Sequence, residues 1–569
     1  MSENISKLSG RIGKRLEKNL FKQITEFGRQ NAVPTKQDME QLATDYNVGK
    51  ATIYGSSTFY EFLSEEHLSK KAYVCNGSAC LCAGTQQEVT ETLAKQVGAD
   101  QVGHITCLGR CHEANAFQVD GRNYSGDAIT QIDQIMAGDK SAAVDHYGVY
   151  GHARENVLTQ AGFSDLNAFK KTLQQFLTAT KVDSLQEIKT SNLRGRGGAG
   201  FPTGIKWESC QQVPGDEKYV VCNADEGDPG AFSDRYLMEH QPYRVLFGMM
   251  ACGWLIGAND GVLYIRAEYP ESIERIQQLI DELHAEKLLG KNILGSGFDF
   301  EFSIIDGAGA YICGEETALL ASIEGRRAEV DVRPPFPTVE GLFKKPTVVN
   351  NVETFAAIEG ILSIGSKQYA AMGNGKSTGT KLISLDAGFH RPGIYEVEMG
   401  EPLSTVIHEL AGGFVQPTKA LHIGGPLGGL VPTDKIEQLN VDFESFSANG
   451  FLLGHASVVC LPQDFPIIDY IEHLFAFTAA ESCGKCFPCR LGSTRGKEMV
   501  QQAVSGEKLM NQALLNDLLS AMKQGSLCAL GGGLPLPILN ALEFFGEELT
   551  PFFEASSADN KIQIKELHS

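Results

Sequence analysis

The sequence predicts a multidomain α/β protein, and three features of its 569 residues carry that expectation. The length exceeds what one hydrophobic core normally serves, so roughly three to five domains are expected. Apolar runs such as KYVVCNA (218–224) and GVLYIRA (261–267) alternate with glycine turns and a helix-patterned stretch, ESIERIQQLIDELHAE (271–286). Alternation of that kind marks a sheet covered by helices. Finally, eight of the fourteen cysteines fall into two separated groups whose spacings suit metal ligation.

From the N-terminus, residues 1–68 read as short helices, with VPTKQDMEQLATDYNV (33–48) opening on Pro-Thr and carrying apolar residues at helical spacing. Residues 69–140 alternate strand-like and helix-like runs: KAYVC, then EVTETLAKQVG, then AFQVDG ending in a turn. Residues 141–186 read as a polar linker holding one helix, DLNAFKKTLQQFLTAT. Residues 187–366 are the α/β domain. Residues 367–457, with GTKLISL, GIYEVEM and GGPLGGL, read as a small β-grasp-like module, and 458–569 as mostly helices.

The composition, 42% hydrophobic and 21% charged, is that of a folded chain. No apolar run reaches the length of about 18 residues that a membrane span needs. The start, MSENISKLSGRIGKRLEKNL, lacks the apolar core of a secretory signal. With cysteines reading as ligands, a reducing, cytoplasmic location is expected. A net charge of −21 argues against nucleic acid and anionic membranes and for docking to other proteins.

Cys483, Cys486 and Cys489 form C-x2-C-x2-C in SCGKCFPCR, and Cys528 follows in GSLCALGGG. Three thiolates so close suit one face of a cubane 4Fe–4S cluster, with a distant fourth closing it. Cys75 and Cys80 form C-x4-C, and Cys107 and Cys111 form C-x3-C. Two wider, unequal pairs suit a 2Fe–2S cluster, one pair per iron. Zinc and unligated core thiols are the other readings. Cys82, in C-x-C with Cys80, competes as a ligand.

LRGRGGAGFPTGIKWE (193–208) contains G-x-G-x-x-G at Gly195, Gly197 and Gly200. Pro202 and Gly204 interrupt the helix that a dinucleotide fingerprint would open, and no Walker lysine follows Gly204. What remains is a loop whose amides can approach an anion or a flat ring, with Arg196 and Lys206 supplying charge for a phosphate. CNADEGDPGAFSDR (222–235) follows a strand, the place where α/β sheets bind ligands. Asn223 can read ring edges, and Asp225, Glu226 and Asp228 can accept from sugar hydroxyls. GAGAYICGEETAL (307–319) adds Tyr311, Gly314, Glu315 and Glu316. VRPPFP offers Arg333 and Phe336 for a nucleotide, and KPTVVNNVET offers Asn350, Asn351 and Thr354 for a flavin or its phosphate. A carboxylate-pair hydrolase is the other chemical reading, but no nucleophile–base arrangement is legible.

These motifs, over roughly residues 187–550, resemble the FMN- and NADH-binding subunit of respiratory complex I and its soluble relatives. The front of the chain, IYGSSTFYEFL through CNGSAC and CLGRC, resembles the small thioredoxin-like 2Fe–2S subunit of the same complexes. The resemblance implies a fusion of the two: a helical N-terminus, a thioredoxin-like domain, a Rossmann-like FMN/NADH domain, a β-grasp module and a helical 4Fe–4S domain. It implies Gly195, Arg196, Gly197 and Lys206 on the FMN phosphate, and Asn223, Asp225, Asn350, Asn351 and Thr354 on the flavin. Phe201, Asp228, Glu316, Arg333 and Phe336 fall where the family holds NADH. Three positions depart from the family: Asp228 is often Glu, Arg333 can be Lys, and Ser209 can be aromatic. The C-x4-C spacing favours Cys80 over Cys82.

The wording FTAAESCGKCFPCRLGSTRG and GSLCALGGGLPLPI looks most like the beta (diaphorase) subunit of NAD-linked formate dehydrogenases. The expected partner is then a molybdenum- or tungsten-pterin alpha subunit that oxidises formate, because this chain has no such module. NAD-linked hydrogenase subunits, or a complex I-like NADH dehydrogenase, are the alternative, and a non-catalytic cluster-bearing scaffold a remote one. The implied electron order runs from the 4Fe–4S cysteines to FMN and then to NAD⁺, with the 2Fe–2S site as a side branch or store. No side chain is expected to act as a catalytic acid or base.

Overall fold

The computed structural model describes residues 20, 21, 23, 24, 35–46 and 48–555; the first residues of the N-terminal segment and the tail lie outside them. The predicted first helix, Lys36–Asp45, begins where Thr35 caps it, the threonine hydroxyl accepting from the Asp38 amide and Asp38 answering the Thr35 amide. Tyr60 ties this segment to the α/β domain, its hydroxyl donating to the Arg326 carbonyl at 2.8 Å.

The second domain is a four-stranded sheet. Its strands β1 (Ala72–Cys75), β2 (Val102–Ile105), β3 (Phe117–Val119) and β4 (Arg122–Tyr124) lie in the order β2-β1-β3-β4. β1 runs parallel to β2 and antiparallel to β3. Val89 and Leu93 of the helix Gln86–Val97 pack on Ala72, Val74 and Phe117. The four cysteines gather at one end, because Cys75 closes β1, Cys80 sits in the helix Ser78–Cys82, and Cys107 and Cys111 lie in the loop after β2.

Residues 141–186 are more than a linker. β5 (Gly148–Gly151) joins the edge of a distant sheet, and the helices Leu166–Thr178 and Lys181–Thr190 bury Phe169, Leu173 and Ile188. Asp145 is held between Arg110, His112 and Arg235, with its carboxyl far below the usual range because those partners outweigh the cost of burial. A four-residue strand with no apolar alternation gives no local signal; its pairing partner comes some 240 residues later.

The α/β domain holds four parallel strands, β6 (Tyr219–Ala224), β7 (Asp260–Ile265), β8 (Glu301–Asp306) and β9 (Thr347–Asn351), in the order β8-β7-β6-β9. Strand order therefore reverses between β6 and β9, and in open parallel sheets ligands bind at the strand ends where that happens. Both faces are covered, chiefly by Pro242–Ile256, Pro270–Ala285 and Val352–Ile364, which is why β6 is apolar through Val220, Val221 and Cys222.

A hairpin of β10 (Gly373–Asn374) and β11 (Ser377–Thr378) leads into the β-grasp module. Its strands are β12 (Thr380–Leu385), β13 (Gly393–Glu398), β14 (Thr418–Ile423), β15 (Gly429–Pro432) and β16 (Ser457–Pro462). They lie in the order β15-β14-β16-β12-β13-β5, with β16 parallel to β12. The expected boundary at 457 thus cuts off a central strand: β16 is far from β12 in sequence but lies between β14 and β12. The helices Ile467–Glu481, Phe487–Val504, Gln512–Gly525 and Pro535–Phe544 complete the chain around Leu474, Phe475, Leu519, Met522 and Ile538.

Candidate functional site

A cleft of about 570 Å³ opens at the β6/β9 switch point. Its wall gathers thirteen of the residues singled out from sequence: Gly195, Gly197, Phe201, Lys206, Asn223, Gly314, Glu315, Glu316, Arg333, Phe336, Asn350, Asn351 and Thr354. Asn223 is the penultimate residue of β6 and Asn350 and Asn351 end β9, and the parallel register sets Asn223 opposite Asn351. Gly197 lies against Asn351, and a Cβ there would come within 3.0 Å of the Asn351 Cβ. The glycine is thus what lets the loop close over the amide. Trp207 donates to Asn350 Oδ1 at 2.9 Å, which leaves the amide nitrogen of Asn350 for the cleft. Thr354 accepts from the Arg196 backbone amide at 2.9 Å and so pins the loop to the helix after β9.

The mouth of the cleft is aromatic and charged. Phe201 and Phe336, 50% and 55% exposed, present two aromatic rings to the cleft. Arg333 pairs with Glu316 at 2.7 Å, and Lys206 lies 3.6 Å from the same carboxylate. Ser209 also lines the wall and donates to the Ile205 carbonyl, so no third aromatic stacks there. Two exposed rings, convergent amides and a lysine–arginine–glutamate group fit a flavin nucleotide and a dinucleotide.

Five residues named from sequence lie outside the cleft wall. The Arg196 guanidinium turns towards the β-grasp module, donating to the Thr378 carbonyl at 2.6 Å and to the Tyr369 hydroxyl at 3.1 Å. Its Nε and Nη1 remain buried and unpartnered, away from the cleft. Glu226 is consumed internally, accepting from the Asp234 and Arg235 amides at 2.9 and 3.1 Å. Tyr311 donates to Asp228 at 2.6 Å, and Tyr311 and Asp225 face a separate acidic cavity. Spacing alone does not say which way a loop carboxylate points.

Sequence reasoning missed the group behind the wall. His455, from the loop before β16, lies 3.3 Å from Asp234 and 3.7 Å from Glu226, and Asp234 in turn receives the Asn351 amide at 2.5 Å. No local motif marks His455; only tertiary packing brings it here. Burial disfavours the His455 cation, but Asp234 overrides that and holds its pKa up at about 9, while burial raises Glu226 to about 7. Both groups therefore bind more protons folded than unfolded, so their contribution to stability is full at low pH and falls as pH rises. Between about pH 6.5, the ordinary histidine value, and pH 9, wild-type protein should lose thermal stability faster than His455→Gln. Parallel melting curves for the two across that range would refute the ion pair.

The cysteine groups suit clusters. In the thioredoxin-like domain Cys107 and Cys111 lie with their sulfurs 3.6 Å apart, and all four thiols are buried together. A hydrogen bond from Cys80, with the amides of Gly77, Leu108 and Cys107, lowers the Cys75 pKa against burial, while the same bond and burial push the Cys80 thiol up, so the pair shares a proton. Amides aimed at sulfur favour thiolate, the form that binds iron. Cys82 instead interacts with Asp386 and Cys460. Gly230 donates to Cys111 Sγ at 3.3 Å, so this domain abuts the loop after β6. In the helical domain Cys486 caps the helix Phe487–Val504 and Cys528 caps Ala529–Gly533. Gly531 must be small, since a Cβ there would meet Cys489 Cβ at 2.6 Å. Cys528 also lines the cleft, so the fourth thiol of this group and the candidate site share a wall.

Comparison with known proteins agrees with this geometry. Three family models match: the Nuo51 FMN-binding domain over residues 188–360, the NADH-ubiquinone oxidoreductase-F iron-sulfur binding region over 469–551, and the thioredoxin-like 2Fe-2S ferredoxin over 14–139. The NAD-reducing hydrogenase HoxS subunit alpha of Cupriavidus necator is 34% identical over 539 residues, 90% of this chain and 88% of the relative. The NADP-reducing hydrogenase subunit HndC of Solidesulfovibrio fructosivorans is 42% identical over 392 residues, 68% of this chain and 79% of the relative. An NADH-quinone oxidoreductase subunit of Rhizobium meliloti is 40% identical over 390 residues, 68% of this chain and 92% of the relative. The crystal structure of an air-oxidized NAD⁺-reducing NiFe-hydrogenase aligns with TM-score 0.83 at 26% identity, covering 96% of each chain. Among the described residues no helix is long and apolar enough to cross a membrane. Cleft, cysteine groups and relatives together place the chain in the family of NADH-binding FMN and iron–sulfur electron-transfer subunits shared by NAD-linked hydrogenases and complex I-like NADH dehydrogenases.

Proposed function

We propose that the chain is the NAD(H)-reacting subunit of a cytoplasmic, multi-subunit NAD-linked hydrogenase. It receives electrons at the Cys483/Cys486/Cys489/Cys528 cluster and delivers them to NAD⁺. The observation that carries this reading is the match to a hydrogenase subunit over 90% of the chain, through thioredoxin-like front and helical end alike. FMN supplies the exchange between two-electron nicotinamide chemistry and one-electron cluster chemistry. The chain's own residues would hold and orient: Asn223, Asn350, Asn351 and Thr354 the flavin, the Gly195–Gly197 loop and Lys206 its phosphate, and Phe201, Phe336, Arg333 and Glu316 the nucleotide. A formate dehydrogenase is the second reading; it rests on the wording around Cys483–Cys489 and Cys528, and the hydrogenase and NADH dehydrogenase relatives lend it no support. Anaerobic purification with native partners separates the two. Hydrogen-driven NAD⁺ reduction is the expected result, and formate-driven reduction with no response to hydrogen would overturn it.

Glu316 sets the cofactor preference in this reading. A carboxylate beside the adenine ribose accepts from a 2′-hydroxyl and repels a 2′-phosphate. NADH should therefore be preferred over NADPH. Glu316→Gln should raise kcat/KM for NADPH relative to NADH on the order of tenfold, the equivalent of about 1.4 kcal/mol. Because a relative is named for NADP reduction, the comparison is informative. Equal kcat/KM for the two nucleotides in the wild type would sink the assignment.

A further inference from the structure

The Asn351 amide, which lines the cleft, is held from behind at both ends. Its Oδ1 accepts from the Glu353 backbone amide at 2.9 Å, and its nitrogen donates to Asp234 Oδ2 at 2.5 Å. One amide hydrogen and one lone pair of Asn351 are left for the cleft. The same Asp234 oxygen lies 3.3 Å from His455 Nε2, so one carboxylate oxygen serves both side chains. Asp234 is 1% and His455 7% exposed. The other ring nitrogen, Nδ1, has no hydrogen-bond partner and faces Glu226 Oε1 at 3.7 Å. The glycine loop rests on this backbone: a Cβ on Gly198 would sit 3.6 Å from the carbonyl carbon of Gly454.

Each ring nitrogen of His455 thus faces a carboxylate. A neutral imidazole has one N–H and one lone pair, and the lone pair would be set against an oxygen. The imidazolium has two N–H groups and suits both neighbours. Asp234 accordingly holds the histidine in its charged form up to a pKa of about 9, against burial. The effect passes on to Asn351. A carboxylate paired with a cation only accepts hydrogen bonds, so it admits the nitrogen of the Asn351 amide and excludes the oxygen. The Glu353 amide, a donor, makes the matching demand at the other end. Lys381 also acts on His455 from β12, but it is bonded to Glu353 and does not replace the histidine as partner of Asp234. Without His455, Asp234 would be a buried charge stripped of its partner, and its hold on the amide would weaken.

We propose that His455 is a positioning residue for the flavin site: acting through Asp234, it fixes which end of the Asn351 amide the flavin meets, and so sets FMN affinity. The inference rests on the assignment of Asn351 to the flavin made above. It gives a role in the site to a side chain that touches neither the cleft nor any motif legible in the sequence.

FMN titration of the deflavinated full chain, without oxygen, tests it. His455→Leu should bind FMN on the order of tenfold more weakly than wild type, the scale of one misdirected hydrogen bond. His455→Gln, whose amide can still donate to Asp234, should recover part of that loss. In an Asn351→Ala background His455→Leu should cost less than about twofold, because the amide it orients is gone. A residue that only supported the fold would cost the same factor in both backgrounds. Should His455→Leu fail to fold, Asp234→Asn carries the same cycle, since an amide both donates and accepts and no longer dictates the orientation of Asn351. Wild-type affinity in His455→Leu, equal factors in the two backgrounds, or one zinc ion per chain that His455→Leu removes would overturn the proposal. The titration needs neither hydrogen nor formate. Failure of hydrogen-driven NAD⁺ reduction would therefore count against the functional reading alone, whereas a wild type that binds no FMN would overturn both.

Discussion

Lys381→Met should be among the most damaging single substitutions in the chain, costing about 3–5 kcal/mol, the range for stranding one partner of a buried pair. Lys381 in β12 and Glu353 in the helix after β9 are both fully buried and bonded to one another. Glu353 also accepts from the Leu382 amide at 3.0 Å, and its own amide is capped by Asn351 Oδ1 at 2.9 Å. The pair therefore clamps the β-grasp module onto the element that carries Asn351 and Thr354. Without Lys381 the helix holds an unpaired buried carboxylate beside the flavin cleft. Flavin should be released at lower temperature, measurable as its fluorescence on heating. Combining Lys381→Met with Glu353→Leu should recover much of the loss, because the stranded charge is then gone. A single-variant cost under about 1 kcal/mol would mean that the pair is not what holds the module in place.

Cys486→Ser should abolish electron passage between flavin and partner while largely sparing direct oxidation of NADH by ferricyanide. Cys486 is half-buried at the N-cap position of its helix and does not line the candidate cleft, so on the proposed assignment its loss removes a cluster ligand and leaves the nucleotide site standing. Cys528→Ser is the contrasting case. That thiol lines the cleft, and its replacement should disturb flavin retention as well as the cluster. The checks are iron and flavin content, the reduced-cluster resonance signal, and turnover with ferricyanide and with the native partner. If Cys486→Ser lost ferricyanide activity with FMN still bound, the proposed electron order would be wrong.

The cluster spacings, the glycine loop and the amides of KPTVVNNVET were legible because each is a short stretch in which backbone and ligand chemistry are local. The β-grasp strands were legible for the same reason, as apolar runs between glycines. The strand in residues 141–186 was not: GVYG is too short to show a period, and its hydrogen bonds come from β13. The central place of β16 was likewise hidden, since strand order is a property of pairing between distant segments. Among site residues, Asn350 and Phe336 stand in the cleft wall, whereas Glu226, Asp228 and Tyr311, drawn from equally specific motifs, bond to other protein groups.

By itself, then, the sequence determined which cofactors to expect, two iron–sulfur clusters, FMN and NAD(H), and which short motifs are the candidates to hold them. Tertiary structure alone decided how those parts meet. It set Cys528 in the wall of the candidate cleft, brought His455 behind Asn351, and closed Glu61, Asp225, Glu268 and Glu481 around one cavity. The physical reason is one of range. Ligand spacing and backbone conformation act over a few residues, while burial, charge compensation and strand pairing depend on segments that only the folded chain brings together.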